Sequence, residues 1–127
     1  MDKIRYKTFH KKQQKISKVN YIPNGHKNNL QILRSTYLKD KKGHEIYEND
    51  IVHLDENHGM VKAGYYIVSY HNACFMITKD AHKNYMDHYL WFIADKCEVI
   101  NNFLENKDEW TKLQIKSIKK QPQVFQK

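Results

Sequence analysis

Residues 38–52, Leu38-Lys39-Asp40-Lys41-Lys42-Gly43-His44-Glu45-Ile46-Tyr47-Glu48-Asn49-Asp50-Ile51-Val52, place a polar turn between two apolar segments. Asp and Asn side chains bond to nearby backbone groups, and Gly and Asn tolerate left-handed backbone. Residues 40–43 and the pair Asn49-Asp50 therefore read as two turns flanking a short strand at 45–47. Residues 51–54 follow as a core strand. Two reversals this close together commit the middle of the chain to short strands.

The same pattern extends in both directions. Residues 4–9 alternate Ile4, Tyr6 and Thr8 against Arg5 and Lys7, which predicts an early strand. Residues 10–15 form a polar hairpin tip before a short segment around Ile16 and Val19. Pro23-Asn24-Gly25 signals a turn and a loop to residue 29, and the apolar pattern resumes at Leu30, Ile32 and Leu33. Residues 55–59 are the next turn, with a bend at Ala63-Gly64. Residues 65–70 and 73–78 make the best hairpin, joined near His71-Asn72, and residues 79–84 read as a loop. Residues 85–93 fit two periods. A helix aligns Tyr85, Tyr89 and Phe92, whereas a strand puts Tyr89 and Trp91 on one face and Leu90 with Phe92 on the other. Residues 97–100 are the last strand. Beyond Asn106, Asp108 and Glu109 open and Lys116, Lys119 and Lys120 close a short amphipathic helix, with Pro122 as its stop. The expected organisation is a β domain over 1–106, a basic helix packed on it over 107–121, and a flexible tail over 122–127.

With 127 residues, the chain has room for one domain with a real core. No apolar run is long enough to span a membrane, and the basic N-terminus lacks the apolar stretch of a secretory signal. Two cysteines, Cys74 and Cys97, do not make a disulfide framework and read as small core residues in a reducing compartment. The formal charge of +8 is unevenly spread. Residues 1–42 carry twelve Lys/Arg against two Asp/Glu, residues 43–110 carry five against twelve, and residues 111–127 carry five against none. Basic ends of this kind suit phosphate backbones or acidic protein surfaces. Arginine is the usual reader of base edges, and Arg5 and Arg34 are the only two, so sequence-specific DNA recognition loses weight. A net positive chain is also the wrong sign for a DNA mimic.

On these residues the chain resembles the YopX family of phage and prophage proteins. The family's central run, Thr-Gly-Leu-Lys-Asp-Lys-Asn-Gly-Lys-Glu-Ile-Tyr-Glu-Gly-Asp-Ile-Val in outline, is similar to residues 36–52 here, which begin Thr36-Tyr37-Leu38. Its opening strand resembles Ile4-Arg5-Tyr6-Lys7-Thr8-Phe9-His10, with Phe9 and His10 in place of the usual Trp and Asp. Its later Glu-Val-Ile-Gly-Asn run resembles Glu98-Val99-Ile100-Asn101-Asn102. The similarity covers roughly residues 3–110. Asn49, Asn101 and the bulkier Tyr37 stand at usual glycine positions; Asn is the best non-glycine residue for left-handed backbone. The resemblance implies a phage-encoded, mainly β protein built as a small SH3-like or related partly open barrel. It brings no catalytic reaction and no established functional residues.

Reactive side chains do not converge in the sequence. Among the histidines, His53, His58 and His71 lack the tight spacing of a zinc site, and His82 and His88 do not share a helical face. Cys74 with His71 is the one short Cys/His neighbourhood, and Asp50, Asp55 and Glu56 the one candidate carboxylate cluster. Glu48-Asn49-Asp50 is better explained as turn chemistry. Tyr65, Tyr66, Tyr70 and Phe75 form one aromatic group, of which alternation sends at least two into the core.

These observations lead to a non-enzymatic phage accessory protein, with no cofactor or metal, that binds and modulates a host or rival-element protein in the cytoplasm of the infected or lysogenic bacterium. The candidate interface is Tyr85, Tyr89, Trp91, Trp110 and Lys116. The alternative is nonspecific nucleic-acid binding through Lys3, Lys7, Lys11, Lys12, Lys119 and Lys120. No membrane partner is expected, and the opposed charges also permit a homo-oligomer.

Overall fold

The computed structural model describes residues 6–19, 30–79 and 88–120, the side chains of Val19 and of residues 114–120 excepted. Nine strands are described: β1 (Tyr6–His10), β2 (Lys15–Val19), β3 (Leu30–Lys39), β4 (Glu45–Tyr47), β5 (Asp50–Leu54), β6 (Gly64–His71), β7 (Cys74–Thr78), β8 (His88–Tyr89) and β9 (Cys97–Asn102). A single helical turn, α1 (Leu90–Ile93), and a 3-10 turn over Ala94–Lys96 join β8 to β9, and α2 (Lys107–Lys120) follows. Strands β2-β1-β3-β4 form one antiparallel sheet and β8-β7-β6-β5-β9 a second. Together they make a mainly β, open and curled half-barrel with a short C-terminal helix.

The five-stranded sheet buries both faces, and its alternation shows how. Val52, Leu54, Tyr66 and Val68 point into the main core with Ile46, Ile77, Leu90, Ile93 and Cys97. The intervening Ile51 and Ile67 point the other way, where Trp110 of α2 covers them, flanked by Tyr65, Phe103 and Leu113. Adjacent apolar residues such as Ile51-Val52 and Ile67-Val68 require this double cover, because neighbours along a strand face opposite sides. Removing a ring of this size from such a site costs about 3 kcal/mol. Trp110 thus anchors α2, whose first turn carries Asp108 and Glu109 as the sequence indicates.

Turn chemistry sets the corners. The β6–β7 hairpin reverses at Asn72 and Ala73, both at positive φ between the partners His71 and Cys74. That is the two-residue turn whose twist suits antiparallel strands. Tyr37 and Asn49 also sit at positive φ, 62° and 66°, so two of the three departures from glycine keep a left-handed backbone. Asn101 differs: it lies within β9 opposite Ile51, and the next partners are Val52 and Val99, so Ile100 is the extra residue of a bulge. The turn at 23–25, the loop at 80–84 and the stop at Pro122 lie outside the described residues.

Candidate functional site

Residues 88–93 satisfy both readings of their sequence, one after the other. His88 and Tyr89 pair with Ile77 and Met76 at the sheet edge, and the chain then coils for one turn. Leu90 and Ile93, three apart, both point into the core and fix that turn. The turn leaves Trp91 and Phe92 outside, together with Tyr89. Trp91 is 63% exposed, Tyr89 52% and Phe92 46%. Tyr89 and Trp91 share a face, as the strand reading has it, with ring centroids 6.3 Å apart and planes 29° from parallel. Phe92 joins them rather than opposing them, edge-on to Trp91 at 6.0 Å. Its ring rests over Gly59, where an added Cβ would lie 3.7 Å away. These rings border a cleft of about 510 Å³ with Met60, Met76 and His88, floored by Val61.

Of the other expected interface residues, one side chain is placed, and it lies elsewhere. Trp110 is 7% exposed and packs on the opposite face of the five-stranded sheet, so it does not extend this surface. Tyr85 lies outside the described residues, as does the side chain of Lys116. Of the first aromatic group, Tyr66 is core. Tyr65 and Phe75 pack against the two clusters, and Tyr70 stands half exposed beneath the Arg34 guanidinium at 4.0 Å.

Sequence reasoning saw the turns at 40–43 and 48–50 as local, and the structure makes each a junction. Asp40, at the first, accepts hydrogen bonds from the backbone N–H of Lys42 (2.9 Å) and His44 (2.8 Å) through Oδ1. Its Oδ2 accepts from the Val99 N–H at 2.8 Å, tying the turn to β9. Burial pushes this carboxyl's pKa up, but the three N–H donors, with His44 nearby, outweigh it and the net shift is downward. Asp50, at the second, accepts from the Tyr47 N–H (2.7 Å) and from the Asn102 side-chain amide (3.0 Å). The same amide donates to the Glu48 carbonyl, and Phe103 N–H reaches the Asn49 carbonyl at 2.7 Å. For Asp50, burial wins: its carboxyl is raised to about 6, against the pull of those two donors and of Lys7.

The structure sets His71 opposite Cys74 across the β6–β7 turn but does not assemble the carboxylates. Asp50 and Asp55 lie at opposite ends of β5, roughly 16 Å apart at strand rise. Asp55 is held by Lys41 at 2.9 Å. His53 stacks on Tyr65 at 4.5 Å, and His58 bridges to Val61. Cys97 is buried, and burial pushes its thiol up to about 12, helped by the charge of Asp40, which makes it an inert core residue. Among the described residues there is no group of three or more His, Cys, Asp or Glu side chains placed to hold a metal. No described helix is long and apolar enough to cross a membrane.

The lysines separate into different settings. Lys7 turns its ammonium over the Tyr47 ring at 4.3 Å, so it is engaged inside the protein. Lys11 and Lys12 stand exposed at the tip of the β1–β2 hairpin. Lys3 and the side chains of Lys119 and Lys120 lie outside the described set. Along α2, the backbone of the last two lies about 20 Å from the helix start.

Half-barrel, paired turn junctions and an exposed aromatic edge define a small, mainly β protein with an open, curled sheet. Residues 1–108 match the family described as YopX protein, and the chain belongs to it. Among solved structures, the crystal structure of protein EF1440 from Enterococcus faecalis is similar. It is 17% identical, with a TM-score of 0.56 over 84% of this chain and 97% of that one, a likeness of fold. Among curated proteins none matches this chain in sequence.

Proposed function

We propose that this chain is a non-enzymatic phage accessory protein that binds and modulates a host or rival-element protein through Tyr89, Trp91 and Phe92, acting in the cytoplasm of the infected or lysogenic cell. One observation carries the reading: three neighbouring aromatic rings, Tyr89 at the end of β8 and Trp91 and Phe92 on the turn that follows, stand about half exposed or more while the turn's two other side chains are fully buried. Exposed clusters of Trp, Tyr, Phe and Met are the composition of contact surfaces, and rigid rings lose little entropy on binding. Leu90 and Ile93 hold the rings in place before any partner arrives.

The test compares tagged wild type with Tyr89→Ser/Trp91→Ser in nuclease-treated lysate of the bacterial host. Wild type is expected to retain one stoichiometric protein at moderate salt, and the double variant to lose it while melting at an unchanged temperature. On the purified pair, Trp91→Ala alone should weaken binding about 30-fold, the size of an aromatic hot spot. A partner held equally well by the double variant, or none at all, would sink the reading.

A further inference from the structure

Strand β2 is the end of its sheet. Its neighbour β1 pairs over its whole length with β3 on the other side, so β2 is held as a fixed edge. The Ile16 N–H points away from β1 and donates to Glu105 Oε2 at 2.9 Å. Backbone groups two residues apart on an antiparallel strand point the same way. The Ile16 carbonyl and both backbone groups of Lys18 therefore face outward with it. Among the described residues nothing bonds the Lys18 backbone on that side. Such an edge is a template for one more strand.

Charge selects which strand fits. Residues 6–19 contain five lysines, one histidine and no Asp or Glu. Lys15 and Lys18 are exposed and three apart on β2, so they stand on opposite faces of the sheet. Lys11 and Lys12 are exposed at the tip where β2 begins. None of these four has an ion pair among the described residues. A second copy would set the same lysines against these, and directly opposed like charges destabilise a strand pair. A phosphodiester backbone offers acceptors but no N–H donors for the outward carbonyls of Ile16 and Lys18. A polypeptide strand offers both, and acidic side chains on it would answer the lysines on each face. The contact already made at this edge has that chemistry, a protein carboxylate on the Ile16 N–H.

We infer that the β2 edge takes an extended acidic segment of a partner protein as an added strand. Main-chain hydrogen bonds to Ile16 and Lys18 give the strand its place, and Lys15 and Lys18 pair with its carboxylates on the two faces. Glu105 holds the Ile16 N–H until the incoming carbonyl replaces it, so it competes with the ligand. The lysines that attract this segment also keep two copies of the chain from joining edge to edge. The inference is independent of the aromatic surface, which lies at the β8 edge of the other sheet.

The test is fluorescence anisotropy of the full chain with the labelled peptide Glu-Glu-Val-Val-Glu-Glu-Val-Val, which carries acid on both faces of a strand. The same peptide N-methylated throughout keeps its charge and loses every N–H donor, and it should bind at least about tenfold more weakly. Equal affinity for the two would assign binding to charge alone and overturn the inference. K15Q/K18Q should weaken the unmodified peptide about tenfold. K62Q/K96Q, the same charge change at exposed positions elsewhere, should stay within about twofold of wild type. Equal losses in the two variants would overturn the inference. Glu105→Ala should tighten binding more than Glu109→Ala, which removes the same charge from an exposed site on α2. Equal effects would show that the edge N–H is not used. A DNA duplex of matched charge that displaces the peptide would make phosphate the better ligand and overturn the proposal. Y89S/W91S should bind the peptide as wild type does, and a loss there would move the peptide to the aromatic surface. If K15Q/K18Q melts lower than wild type, the N-methylated comparison on wild type decides.

Discussion

Asp40 and Asp50 sit in the same kind of place and titrate in opposite directions. Both are buried carboxylates at turns, both bind backbone N–H groups, and both reach β9 from the other end of the sequence. Asp40 has three N–H donors and a histidine at 3.4 Å, and its carboxyl is lowered. Asp50 has one N–H and one amide, and burial raises it to about 6. The sign of the shift is decided by how many donors answer the cost of burying a charge. The Asp40 turn is built to hold an anion, whereas the Asp50 junction holds its anion at a cost near neutral pH.

The comparison breaks most visibly at Asp40. Asp40→Ala leaves the N–H groups of Lys42, His44 and Val99 without their acceptor, which should cost about 4 kcal/mol at 1–3 kcal/mol per orphaned group, less what water recovers at the turn. Chemical denaturation would show it, and a loss below 1 kcal/mol would mean the turn holds without its carboxylate. The second largest effect is a pH dependence at Asp50. A carboxyl raised from 3.8 to about 6 favours the protonated folded state. Its stabilisation is fully present below 3.8 and is lost as pH rises through 6, worth at most about 3 kcal/mol. Asp40, lowered, contributes above 3.8 and loses that contribution as pH falls through its folded value. Stability should therefore climb as pH falls from 7 toward 4, and below that the loss of the Asp40 contribution opposes any further gain. Asp50→Asn should flatten the climb and expose the Asp40 loss at acid pH; a wild type that is flat between pH 7 and 5 would contradict the account.

How much of this was legible follows from range along the chain. Turn residues and alternation placed the strands from 45 to 54, the 71–74 hairpin and the acidic start of α2, because those signals act between near neighbours. The half of each junction that reaches β9 left no local trace: Asp40 to Val99 spans 59 residues, and Asn102 to Asp50 spans 52. Glu48-Asn49-Asp50 reads as turn chemistry and is turn chemistry, but nothing near it announces Asn102. Trp110 had a signal of a different kind. Ile51-Val52 and Ile67-Val68 demand cover on both sheet faces, and an amphipathic helix with one tryptophan is available cover. The aromatic edge depended on a competition no single period describes, since a strand ends and a helical turn begins between Tyr89 and Leu90.

Two smaller perturbations sharpen the contrast between the carboxylates. Asn102→Ala removes one of the two donors on Asp50 and also leaves the Leu104 N–H without its acceptor at 3.0 Å. It should cost about 2 kcal/mol and move the Asp50 transition to still higher pH, read from the difference between denaturation at pH 7 and 5. An unmoved transition would show that burial alone sets Asp50. His44→Ala is the corresponding deletion at Asp40, and it should do little. The imidazole is 63% exposed and 3.4 Å from the carboxylate, while the His44 backbone N–H that binds Oδ1 survives the substitution. The expected loss is below about 0.5 kcal/mol, with the acid limb of the stability profile unchanged. An acid limb displaced upward by His44→Ala would mean that a neighbouring charge, rather than donors fixed by the backbone, keeps Asp40 ionised. Counting N–H groups would then no longer explain why the two carboxylates differ.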